Sequence, residues 1–119
     1  MQHSKESHQH PVNSQQDPMV GVVMGSDSDL PVMQEALEVL TSFGIPAVIT
    51  VASAHRSPQR VFEYARSASK RGLKILIAGA GGAAHLAGVM AAEPRLPVIG
   101  VPIASSPLAG WDALLATVQ

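Results

Sequence analysis

Four short apolar runs, each followed by a stretch with apolar residues at helical spacing, dominate this chain. The runs are Val20–Met24 (VGVVM), Ala47–Ala52 (AVITVA), Leu73–Ala78 (LKILIA) and Pro97–Val101 (PVIGV). Runs this short, with little polar alternation, suit strands buried on both faces. After the first run, Val32, Met33, Ala36, Leu37, Leu40 and Phe43 recur three and four apart, and Gly44 stands as a C-terminal stop. Ser57-Pro58 opens a second helix, with Val61, Phe62, Ala65 and Ala68 on one face and Gly72 as its stop. His85, Leu86, Val89 and Met90 mark a third, and Leu108, Trp111, Leu114, Leu115 and Val118 a fourth. Doubly buried strands alternating with amphipathic helices predict an α/β fold on a parallel sheet with right-handed crossovers. The common order for such a sheet is the flavodoxin-like 2-1-3-4, which spacing alone does not fix.

Composition narrows the chemistry. The 119 residues make one domain. Residues 1–18 are polar and are expected to form a disordered arm, leaving 19–119 as the folded unit. The arm carries Glu6 and Asp17 and has no apolar centre, so it is a poor signal or transit peptide. Its His3, His8 and His10 lack the packed surroundings that orient metal ligands, so no metal site is expected there. A formal net charge of −1 argues against a nucleic-acid footprint or a membrane-surface helix. No apolar run approaches the roughly 20 residues of a spanning helix. The chain has no cysteine, which excludes disulfides, thiolate zinc sites and cysteine nucleophiles. A cytoplasmic enzyme or binding domain is the remaining expectation.

In parallel α/β sheets ligands bind at the carboxyl ends of the strands, and the unusual residues of this chain fall there. Gly25-Ser26-Asp27-Ser28-Asp29 follows the first run. Its small residues at a helix start suit an anion, or an aspartate there accepts from sugar hydroxyls. Simple helix capping by Asp27 or Asp29 explains it equally well. Ser53-Ala54-His55-Arg56-Ser57-Pro58 follows the second run. Arginine offers a fork of donors for phosphate or carboxylate, and imidazole is the side chain whose ordinary pKa, about 6.5, lies near neutrality. The plainer alternative is a capping histidine and a surface arginine, against which the strand-end position counts.

Gly79-Ala80-Gly81-Gly82-Ala83-Ala84-His85 follows the third run, and its glycines permit a tight turn and close ligand approach. It imitates a dinucleotide fingerprint but follows the wrong strand, and Ile99 stands where an acidic residue belongs. His85 taken singly reads as an ordinary helix residue. Ser105–Pro107 follows the fourth run and either lines the same crevice or starts a helix with Pro107 in its first turn. Nucleophile elbows, phosphate-binding GxxxxGK[ST] loops and HExxH motifs are absent. Asp27 and Asp29, the only clustered carboxylates, do not make a metal centre.

Taken together, MGSDSD, SAHRSP and AGAGGAAHLAG, in this order and spacing, resemble the catalytic-subunit family of phosphoribosylaminoimidazole carboxylase, PurE. The closer likeness is to its class I form, 5-(carboxyamino)imidazole ribonucleotide mutase, and it runs from about Val20 to Gln119. The resemblance implies a flavodoxin-like three-layer sandwich and a cytoplasmic homo-octamer acting in de novo purine biosynthesis. It implies an isomerase that moves a carboxylate from N5 of N5-carboxyaminoimidazole ribonucleotide to C4, with neither metal nor organic cofactor. By motif, Ser26 and Arg56 carry over as phosphate contacts, Asp29 as a ribose contact and His55 as the proton-transfer residue. Ser28, Ser53, Gly81, Gly82 and His85 carry over as further lining of the substrate site. Two alternatives stand beside this. One is the class II reaction, direct carboxylation of aminoimidazole ribonucleotide with carbon dioxide, which the family pairs with Lys-Gly where this chain has Arg56-Ser57. The other is a non-catalytic nucleotide-binding module. The family reads His-Leu-Pro-Gly where this chain has His85-Leu86-Ala87-Gly88, and it continues into a further strand and a C-terminal helix, so a shortened sheet is expected.

Overall fold

The computed structural model describes residues 9–11, 17–93 and 95–119. Each apolar run becomes a strand and each periodic stretch a helix. In chain order these are β1 Gln9–Pro11, β2 Val20–Met24, α1 Leu30–Ser42, β3 Ala47–Val51, α2 Pro58–Ala68, β4 Ile75–Gly81, α3 Leu86–Ala91, β5 Val98–Ile103 and α4 Trp111–Val118. A 3₁₀ turn, Asp27–Asp29, leads into α1. The sheet runs β1-β3-β2-β4-β5, and its last four strands are parallel. Those four reproduce the expected 2-1-3-4 order. Among the described residues no helix is long and apolar enough to cross a membrane.

Strand side chains alternate between faces, so neighbouring residues feed two separate cores. Val23, Val48 and Leu76 pack with Val61, Tyr64 and Ala65 of α2 and Leu86 and Met90 of α3. Val22, Met24 and Ile49 pack with Met33 and Leu37 of α1, joined by Ile103. α4 lies beside α3: a Cβ on Gly100 would sit 2.8 Å from Thr117 Cγ2 and 3.3 Å from Ala87 Cβ. Three helices thus serve one face of the sheet and α1 the other. Beyond α1, Ile99 of β5 remains 51% exposed. Gly44 and Gly72, with φ of 71° and 93°, close α1 and α2 in the left-handed backbone that glycine adopts most easily.

Three expectations change. β4 does not stop at Ala78 but runs on through Gly79, Ala80 and Gly81, so the glycine loop begins only at Gly82. The reason is packing: a Cβ on Gly79 would collide with Met33 Sδ, so glycine there lets α1 approach the sheet. β5 likewise extends to Ile103, opposite Gly81, and α4 begins at Trp111. Pro107 therefore lies in the preceding turn and not in a first helical turn. Within the arm expected to be disordered, Gln9–Pro11 pairs antiparallel with β3, Gln9 opposite Thr50. An open sheet edge offers backbone hydrogen bonds that need no apolar side chain, which a composition argument does not weigh. Residues 1–8 and 12–16 of that arm, with His3 and His8, lie outside the described residues.

Candidate active site

Parallel register brings the strand ends level. Met24 is opposite both Val51 and Gly79, so the turns after β2, β3 and β4 rise side by side. Backbone bonds lace them together. Ala52 N–H donates to the Met24 carbonyl at 2.9 Å, and Gly25 N–H to the Gly79 carbonyl at 3.2 Å. Two side chains add longer ties. The Arg56 guanidinium donates to the Gly25 carbonyl at 2.7 Å. His55 Nε2 lies 3.1 Å from the Ala83 carbonyl, 28 residues along the chain. A carbonyl only accepts, so Nε2 carries the hydrogen and the neutral ring keeps its lone pair on Nδ1.

These turns surround a cleft of about 220 Å³. Gly25, Ser26, Ser28 and Asp29 line it from β2, Ser53, Ala54 and His55 from β3, and Ala80, Gly81, Ala83, His85 and Leu86 from β4. Ser105 enters from the turn after β5. The rings of His55 and His85 lie with centroids 5.1 Å apart, tilted by 49°. Among the described residues, no group of three His, Asp or Glu side chains gathers closely enough to hold a metal ion.

The serine-rich turn presents hydrogen-bond donors and acceptors together. Ser26 caps the 3₁₀ turn, its hydroxyl accepting from Ser28 N–H at 3.2 Å and lying 2.9 Å from the Ser28 hydroxyl. Capping therefore falls to Ser26 and not to Asp27 or Asp29, whose side chain makes no cap bond to α1. Asp29 is only 7% exposed. Burial raises its carboxyl above the usual carboxylate range, with a backbone hydrogen bond at Ser26 pulling the other way. A part-buried carboxylate of that kind is a ready acceptor for ligand hydroxyls.

Of the residues expected at a site, Ser26, Ser28, Asp29, Ser53, His55, Gly81 and His85 meet in the cleft. Arg56 and Gly82 stand outside its lining. Arg56 lies against a neighbouring depression with Val51, Ala52, Ser57 and Arg60, and Ser53 belongs to both. Gly82, with φ of 59°, makes the turn that carries Ala83 and His85 over the cleft. Gly25, Ala54, Ala80, Ala83 and Leu86 join the lining with no role expected of them. Their small or apolar side chains carry no chemical signal in a sequence, and only the register identifies them.

The chain was compared with known proteins. The family model described as "AIR carboxylase" matches residues 19–119. The N5-carboxyaminoimidazole ribonucleotide mutase of Pyrococcus horikoshii is 60% identical over 102 residues, covering 86% of this chain and 58% of that protein. The phosphoribosylaminoimidazole carboxylase of Saccharomyces cerevisiae is 61% identical over 102 residues, 18% of its length. The crystal structure of Treponema denticola PurE superposes with a TM-score of 0.77 at 27% identity, covering 86% of this chain and 65% of that one. The chain thus spans about three fifths of the curated mutase it matches.

Proposed function

The chain belongs to the AIR carboxylase family, and from that premise we propose that it is an N5-carboxyaminoimidazole ribonucleotide mutase, moving the carboxylate from N5 to C4. What supports this most is that the MGSDSD, SAHRSP and AGAGGAAH segments, far apart in sequence, share one cleft in which the His55 and His85 rings lie with centroids 5.1 Å apart. Relatives bearing the mutase name are about 60% identical.

The chemistry then follows from the groups at hand. The ligand's phosphate lies at the β3–β2 end, held by the hydroxyl groups of Ser26 and Ser28 and by the guanidinium of Arg56. Asp29 accepts from the ribose hydroxyls. The N5 carbamate takes a proton and breaks its C–N bond, leaving carbon dioxide beside the free amine. C4 then attacks the carbon dioxide and gives up its own proton. One proton goes to nitrogen and one leaves carbon, so a single imidazole at His55 serves both steps with no net exchange. Keeping both fragments in one cleft replaces a bimolecular encounter and limits escape of the gas. Flanking alanines and glycines let the flat heterocycle lie close to backbone. We place this activity in the cytoplasm, with copies of the chain associating into a homo-octamer. The exposed apolar side chains Ile99, Leu108, Trp111, Leu115 and Val118 favour such association.

The test is product formation from two starting points: the carbamate alone, and aminoimidazole ribonucleotide with bicarbonate. Conversion of the carbamate without added bicarbonate is expected. A preference for bicarbonate would replace this reading with direct carboxylation, and ribonucleotide binding without turnover would replace it with a binding module.

A further inference from the structure

β3 is the outer strand of the parallel sheet, and its far edge lies away from the cleft. It reads Ala47-Val48-Ile49-Thr50-Val51, apolar and β-branched throughout apart from Thr50, with no charge and no proline. A strand of that kind at an open edge is a template for pairing with another chain. Which of its backbone groups point that way follows from the ladder on its other side. The Pro46 carbonyl accepts from Met19 and Val20 N–H at 2.8 and 3.3 Å, and Ala52 N–H donates to the Met24 carbonyl at 2.9 Å. Backbone groups alternate in direction along a strand. Residues 46, 48, 50 and 52 therefore turn theirs toward β2, and Ala47, Ile49 and Val51 turn theirs outward.

β1 lies on that outward side, with Gln9 opposite Thr50, His10 opposite Ile49 and Pro11 opposite Val48. Because Ile49 faces outward, His10 and Ile49 are the pair that exchanges N–H···O bonds, and the two flanking pairs do not. Gln9 and Pro11 thus turn their own backbone groups away from β3, toward the new edge that β1 creates. Proline has no N–H. Placed at Pro11, it costs the ladder no bond and removes a donor from the new edge. β1 is also only three residues long. Short length and an outward proline are two of the devices that stop strand addition from propagating.

We propose that residues 9–11 are an edge cap: they occupy the β3 edge in cis, keep a second copy of this chain from pairing there, and end in a proline that closes the edge they form. The proposal is independent of the mutase reading. Two variants of the full chain test it, by amide hydrogen exchange at low concentration and by sedimentation velocity across a concentration series. His10→Pro removes the N–H that reaches Ile49. The Ile49 amide is then expected to exchange about tenfold faster or more, while the Thr50 amide, which faces β2, keeps its rate. Species larger than those of the unsubstituted protein should grow with concentration. Pro11→Ala leaves Ile49 protected but restores an outward N–H, so association should rise with β1 still in place. Circular dichroism checks that both variants keep the fold. An Ile49 amide that exchanges as fast in the unsubstituted protein as in His10→Pro overturns the cap. An unchanged size distribution in His10→Pro, or in Pro11→Ala, overturns the blocking part given to that residue.

Discussion

The two ends of the same four parallel strands are built to different rules. At the amino ends the chain turns through Gly44-Ile45-Pro46 and Gly72-Leu73-Lys74, where Met19 N–H donates to the Pro46 carbonyl and Lys74 N–H to the Met19 carbonyl. Those turns close helices and start strands, and every feature in them serves the fold. At the carboxyl ends the turns gather two histidines, four serines and a buried aspartate around open space. Such groups contribute little to packing, and Asp29 is held at a cost. Fold and chemistry have thus been assigned to opposite edges of one sheet, which lets either be altered with limited damage to the other.

Substitutions at each end can break that separation. The largest effect is expected from His55→Asn. Turnover should fall by about 10²- to 10⁴-fold, the usual contribution of a positioned acid–base group, while ribonucleotide affinity stays close to that of the unsubstituted chain. Because His55 is exposed, thermal unfolding should hardly move. Near-normal turnover would remove His55 from proton transfer. At the opposite edge, Gly72→Ala places a side chain at φ of 93° with nothing within 4 Å of the new Cβ. The cost is conformational alone, about 1 kcal/mol of stability by denaturant titration, with kcat of the folded protein unchanged. A fall in kcat there would show that the edges are coupled.

Asp29→Asn sharpens the comparison with the smallest change. In the native chain the carboxyl holds its proton more tightly than in the unfolded one, because burial raises its pKa. Stability contributed by this group is therefore greatest at low pH and falls as pH rises from the ordinary carboxylate value to the raised native one. The asparagine variant should lose that slope and gain stability above it, while binding the ribonucleotide less well. Unfolding midpoints measured across acidic pH report it. An unchanged slope would mean that the carboxyl's burial has no energetic consequence.

Much of this was legible in the residues. Period and breaker signals placed four strands and four helices, because apolar patterning and glycine stops are local. Likeness to a known family supplied the roles that His55, Arg56, Ser26 and Asp29 are given, which spacing alone left open. What the residues concealed was register. Gly79 and Gly81 read as loop glycines, yet the first makes way for Met33 and the second for Ser105, contacts made across 46 and 24 residues. The pairing of Gln9–Pro11 with β3 was hidden for a related reason, since a backbone ladder leaves no mark on polarity.

The lacing of the strand-end turns has a consequence for how the cleft moves. Gly25 donates to Gly79 through its N–H and accepts from Arg56 at its carbonyl, while His55 reaches across to Ala83. These turns are not independent flaps. Lifting one surrenders bonds belonging to its neighbours, so the floor of the cleft behaves as a single plate. A molecule settling on it meets a surface whose disorder was largely removed when the sheet formed, and little further ordering of the backbone is left for binding to impose.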